Sequence, residues 1–165
     1  MHIKSPAVAY TPPEGTHRIF TWHANRDEYT AEAFTVRCFD DRFQRTFKKG
    51  LKGMGITRID PFSCAGGARV FASPRIDSDR DFALRELGAS IQFHRTPRVM
   101  LFNHHDCAAY GGSGRFKDSI EEEIAFHREE LLKARAIILT VFPLLTVDLY
   151  FIDCAGILEI IQPPQ

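Results

Sequence analysis

The chain has 165 residues, 44% of them hydrophobic and 25% charged, with 21 basic and 21 acidic side chains. That length predicts a single domain with a core of its own. The balanced charge leaves no basic excess for nucleic acid, and no apolar run is long enough to cross a bilayer.

Residues 1–32 read as an N-terminal arm and 33–165 as a single domain. Pro6, Pro12, Pro13 and Gly15 break any regular pattern at the start. Met1 to Gly15 holds no apolar stretch of the kind a secretory signal carries, so a reducing, cytoplasmic setting is expected. Cys38, Cys64, Cys107 and Cys154 are then expected as thiols or metal ligands, not disulfides.

Ala33 to Phe39 is rich in β-branched and aromatic residues and predicts a strand. Arg42 to Lys52 follows with Phe43, Phe47 and Leu51 spaced by four, a helix with one apolar face that ends at Gly53 and Gly55. Lys48, Lys49 and Lys52 form its solvated side. Ile56 to Ile59 predicts a second short strand. Ser63 to Phe71, with Gly66-Gly67, predicts a turn opening a short helix. Ser78-Asp79-Arg80-Asp81 reads as a capping box for a helix that buries Phe82, Ala83, Leu87 and Ile91 and ends near Gly88. Arg98 to Asn103 is the clearest buried strand. After the Gly111-Gly112-Ser113-Gly114 loop, Asp118 to Arg135 predicts a long helix, acidic first and basic last as the helix dipole favours. Val147 to Ile152 and Ile157 to Ile161 flank Asp153-Cys154-Ala155-Gly156 and predict a hairpin.

Alternating strands and helices predict an α/β fold. Its sheet is mostly parallel, flanked by helices, with an antiparallel C-terminal edge strand. Sites in such sheets lie at the carboxyl ends of strands. Cys38 and His104 both fall there, and His104-x-x-Cys107 lets one loop donate two more ligands. Two thiolates and one imidazole suit zinc and leave one position open. His105 is the alternative to His104. Asp40 is a candidate fourth ligand or a partner of Arg42, since residues two apart on an extended segment point the same way. Asp41 is its rival, or a helix N-cap. Asp106 can orient His104 or cap the next turn.

Cys38-Phe39-Asp40-Asp41-Arg42 and His104-His105-Asp106-Cys107, in this order, resemble the two marker motifs of the β-class carbonic anhydrases. Ser63-Cys64-Ala65-Gly66-Gly67 is similar to that family's Ala-Gly turn. Phe82 to Gly88 is similar to the helix before the His/Cys strand. The resemblance runs from about Ala33 to Ile161. The chain departs from the family at Ser63, Cys64 and Gly67, at Ala108 after the ligand cysteine, and in lacking a clear long N-terminal helix.

The resemblance implies a Zn2+ cofactor held by Cys38, His104 and Cys107, with Asp40 and Arg42 as catalytic residues. It implies hydration of carbon dioxide to bicarbonate by zinc-bound hydroxide, a small-molecule substrate, and a homodimer or higher homo-oligomer. Phe39, Phe43 and Phe62 are candidates to line the pocket. His94, His105 and His127 are candidates for a proton route. The alternatives are a zinc hydrolase of carbonyl sulfide or carbon disulfide, and a non-catalytic zinc-binding domain of the same fold.

Overall fold

The computed structural model describes residues 11–22, 24 and 27–161. The first ten residues of the arm, three more near its end, and 162–165 lie outside them. Five strands make one sheet in the order β2-β1-β3-β4-β5. They are β1 (Ala33–Arg37), β2 (Ile59–Ser63), β3 (Arg98–His104), β4 (Thr146–Ile152) and β5 (Ile157–Glu159). The first four are parallel neighbours and β5 runs antiparallel to β4. The predicted architecture is therefore present. The helices are α1 (Gln44–Gly53), α2 (Arg69–Ala72), α3 (Asp77–His94) and α4 (Ile120–Val141).

Side chains alternate across the sheet with the period of two that extended backbone imposes. Val99 and Leu101 of β3, with Leu149 and Phe151 of β4, join Phe71, Leu87, Leu131 and Ile138 in one core under α2, α3 and α4. Met100, Phe102, Tyr150 and Ile152 point the other way and pack on Phe43, Phe47 and Leu51. Both faces are covered, which is why β3 reads as an unbroken apolar run.

Several boundaries differ from the sequence expectation. The second strand is Ile59–Ser63 rather than 56–59. Ile56 donates its N–H to Leu51 O and so closes α1 instead. Pro61 within β2 is tolerated because β2 is an edge strand. No capping box forms at Ser78. The third helix starts two residues earlier, with Ile76 at its N-cap and no side-chain cap, while Asp77 and Asp79 face the dipole. It ends at left-handed Arg95. Gly88 is internal, where a Cβ would stand 3.6 Å from the Phe142 ring. The fourth helix is capped by Ser119, which accepts from Glu122 N–H, and runs on to Val141. Among the described residues no helix is long and apolar enough to cross a membrane.

The strand order reverses between β1 and β3. One connection leaves β1 towards β2, and the next returns to the far side of β1. The carboxyl ends diverge at that point and leave a crevice in an open α/β sheet. Cys38 directly follows β1, and His104 is the last residue of β3.

Candidate metal centre

Neighbouring parallel strands bring the two motifs together. Arg37 pairs with Phe102 in the sheet register, so Cys38 lies beside the end of β3. Cys107 returns towards the sheet after a turn in which Asp106 takes a left-handed φ of 53°. One ligand atom each from Cys38, His104 and Cys107 lies within 4.8 Å of the others, and all three residues are buried. Among the described residues this is the one such cluster.

The donor set fits a metal. His104 Nδ1 bonds the His105 carbonyl oxygen at 2.8 Å. That places the proton on Nδ1 and leaves Nε2 as the lone-pair nitrogen. His104 Nε2 is buried and makes no hydrogen bond, an arrangement that costs stability unless something else meets it. Phe43 packs on the imidazole with ring centroids 4.6 Å apart. Gly66 donates its N–H to Cys38 Sγ at 3.4 Å. The Cys107 thiol, aided by His104 and Gly66 against burial, pulls the Cys38 pKa down. Cys38 and burial push Cys107 up. Burial opposes charge on His104, but the Cys38 thiolate and the His105 carbonyl outweigh it and raise its pKa.

Asp40 is directed to Arg42. Arg42 Nε donates to Asp40 Oδ1 at 3.1 Å and Arg42 Nη2 to Oδ2 at 2.7 Å. The same guanidinium reaches the other loop, donating to Asp106 Oδ2 at 2.9 Å and to its carbonyl at 3.0 Å. Arg42 thus ties the loop after β1 to the loop after β3. Its hydrogen bonds hold Asp40 below the usual carboxylate range. Ser113 N–H and Arg42 hold Asp106 at about 2. The N-cap of the short turn before α1 is Asp40, not Asp41, and it accepts from Arg42 N–H. Asp106 does not orient His104; the His105 carbonyl does.

The remaining candidates scatter. Phe39 is 64% exposed. Phe62 lies on the α2–α3 side, lining a cavity of about 340 Å³ with Cys64, Val70 and Phe82. Phe43 alone of the three aromatics touches the cluster. His94 bonds Asp60 at 2.8 Å, near the start of β2 and away from the strand ends. His105 bonds Glu123 at 2.6 Å and lines a cavity of about 370 Å³ beside Arg42, Thr46 and Asp153. All four cysteines are free. Cys64 donates to Gly67 O, and burial with the nearby Cys38 and Asp79 charges pushes its thiol up to about 12. Cys154 is exposed in the β4–β5 turn.

His127 is fully buried, where Asn103 Nδ2 donates to its Nδ1 at 3.0 Å. Burial, with repulsion from His104, Arg115 and His105, drops its pKa to about 3. At that pKa its neutral form prevails at physiological pH. An unfolded histidine titrates near 6.5. Between about 6.5 and 3 the unfolded chain binds a proton that the folded chain refuses, so stability falls as pH falls through that window. Thermal melts across pH 7 to 4 should show this slope, and a His127→Gln variant should show it weakened by about one proton. An unchanged slope in the variant would contradict the assignment.

Sequence reasoning missed Asn103, Glu123 and Gly67. Asn103 ends the apolar run of β3 and was open to suspicion as a polar residue in a buried strand. Glu123 was hidden among Glu121 and Glu122 as one more first-turn acid. Gly67 gave only a turn signal.

Fold and cluster together define an α/β protein that gathers two thiols and an imidazole at the switch point of a parallel sheet. A family model described as "Putative carbonic anhydrase" matches residues 29–162, and the chain belongs to that family. Among solved structures it is similar to a carbonic anhydrase from Glaciozyma antarctica, at 17% identity and TM-score 0.54 over 81% of this chain and 84% of that one. It is also similar to a carbonic anhydrase from Streptococcus mutans, at 16% identity and TM-score 0.50 with the same coverage. At these identities the likeness is one of fold. No curated protein matches the chain.

Proposed function

We propose that the chain is a zinc-dependent enzyme of the carbonic anhydrase type, hydrating carbon dioxide reversibly to bicarbonate. The observation that carries this reading is the convergence of Cys38, His104 and Cys107 around an unbonded, buried imidazole nitrogen. These three residues would hold Zn2+ and leave its fourth position open. Zinc at such a site supplies Lewis acidity, lowering the pKa of a coordinated water towards ~7. Two thiolates reduce the charge available for this, and Arg42, already paired with the Asp40 and Asp106 carboxylates, adds no surplus positive charge.

Asp40 is the positioned carboxylate. Arg42 engages both of its oxygens, and Asp40 is left outside the ligand cluster. Held so, it stays ionised and can accept a hydrogen bond from a molecule in the open position, fixing a lone pair towards substrate. Carbon dioxide is small and uncharged, so binding it asks only for a narrow apolar surface, which Phe43 offers. The family resemblance also supports a homo-oligomer. Ile19, Phe20 and Trp22 of the arm stand exposed and apolar, consistent with a second copy covering them. A reducing cytoplasmic setting would keep both ligand thiols free.

The test is zinc content of protein purified without added metal, followed by stopped-flow hydration and a panel including carbonyl sulfide and carbon disulfide. About one zinc per chain and turnover of carbon dioxide are expected. Asp40→Asn should keep the zinc and lower hydration by at least about tenfold, with an altered pH–rate profile. Full activity and an unchanged profile in that variant would remove Asp40 from the mechanism. Zinc-loaded protein that turns over only the sulfur analogues would overturn the substrate assignment.

A further inference from the structure

Glu123 sits in the first turn of α4 beside Glu121 and Glu122, yet only Glu123 is buried, with 1% of its surface exposed. A buried carboxylate is costly unless every oxygen is met. Both of its oxygens are met by the short loop between His104 and Cys107. Oε2 bonds His105 Nδ1 at 2.6 Å, and Oε1 accepts the Asp106 N–H at 2.7 Å. This loop carries two of the three cluster residues and turns at the left-handed Asp106, a conformation that aspartate tolerates better than most non-glycine residues.

The contacts continue beneath the loop. His127 Nε2 lies 3.9 Å from Glu123 Oε1. Its Nδ1 accepts from Asn103 Nδ2, and Asn103 Oδ1 accepts the Ala68 N–H at 3.1 Å. Ala68 closes the turn whose Gly66 N–H reaches Cys38. Hydrogen bonds thus link His127 through Asn103 to the turn that meets Cys38, while the approach of His127 to Glu123 is too long for one.

We propose that Glu123 is a positioning residue that pre-sets the His104–Cys107 loop for metal before any metal arrives. The proposal rests on the reading of Cys38, His104 and Cys107 as zinc ligands. Glu123 touches none of those side chains. It fixes the two residues between His104 and Cys107, and so the separation and direction of Nε2 and Sγ. Arg42 grips the same loop from the solvent side, which makes Glu123 the inner half of a two-sided clamp.

The experiment compares wild type, Glu123→Ala and Glu123→Gln. Zinc affinity is read by chelator competition and ligand geometry by the absorption spectrum of the cobalt-substituted protein. Glu123→Ala should bind zinc about 10- to 100-fold more weakly, as partners behind metal ligands typically do, and shift the cobalt bands. Glu123→Gln keeps an oxygen for Asp106 N–H and should recover most of the loss. A cooperatively melting Glu123→Ala with wild-type affinity and cobalt spectrum overturns the positioning role. Should Glu123→Ala fail to fold, hydrogen exchange on metal-free wild type decides. A protected Asp106 amide supports the clamp, and an amide exchanging at the unstructured rate overturns it. A wild type that binds no zinc would instead overturn the metal reading beneath it.

Discussion

Cys38→Ser is expected to abolish tight zinc binding and, with it, carbon dioxide hydration. The three candidate ligands come from two loops, and Cys38 is the sole contribution of the loop after β1. Zinc bound by four protein ligands gains about 10–16 kcal/mol in small structural sites, so one thiolate carries roughly 3 kcal/mol or more. That corresponds to an affinity loss of about 10²–10³-fold. Serine adds a second effect, because its hydroxyl does not ionise near neutral pH and cannot offer the metal the anionic sulfur of a thiolate. Zinc should also stop protecting the fold. A ligand present at 100 times its dissociation constant stabilises by about 2.7 kcal/mol, roughly 5–10 °C for a chain of this size. Wild type should show that shift and Cys38→Ser should not. Cys64→Ser and Cys154→Ser are the controls, since neither thiol belongs to the cluster, and both should keep zinc. Full zinc occupancy in purified Cys38→Ser would remove it from the ligand set.

The cluster was readable in the sequence because its chemistry sits where strand signals stop. Both β1 and β3 are buried on two faces, so their runs are continuous and their ends sharp. Cysteine and histidine at those ends have few alternative uses. The sheet order itself was not readable, only that both motifs fall at carboxyl ends of strands. The β2 strand escaped because Ile59-Asp60-Pro61-Phe62-Ser63 satisfies no alternation rule. It is an edge strand, where proline does no harm, and Asp60 is held by Ser90, His94 and Tyr29 from other segments. The start of α3 escaped because a plausible cap at Ser78 competed with a helix that needs none.

Residues around the cluster were less legible than the cluster. Glu123 and Asn103 matter through how α4 is rotated over the sheet, and no local pattern reports that rotation. Asp106 was one candidate to orient His104, the other role being a turn cap; the partner is a backbone carbonyl, which no sequence can announce. Asp40 and Arg42 were legible as a pair because they are two residues apart. The extension of Arg42 to Asp106 across 64 positions was not.

Gly67→Ala should strike fold and site together. Gly67 has φ 57°, and a Cβ there would stand 2.5 Å from the Phe102 carbonyl oxygen and 3.1 Å from Cys38 N. Both obstacles are backbone of the paired strands β1 and β3 or the residue just after them, so neither can swing aside. Alanine in the left-handed region costs about 1–2 kcal/mol alone. The enforced shift should bring the total to roughly 2–4 kcal/mol, a large part of the stability of an ordinary domain. A melting temperature lower by about 5–15 °C is expected. The displacement also moves the Gly66 N–H that donates to Cys38 Sγ, so zinc affinity should fall even in the fraction that folds. Gly53→Ala is the control. Its Cβ would meet nothing within 4 Å and it ends α1 in ordinary backbone, so its stability should be unchanged or slightly higher. Equal melting temperatures for the two variants would mean that the turn yields without cost. The close approach of Gly67 to the strand ends would then not be what aligns Cys38 with His104 and Cys107.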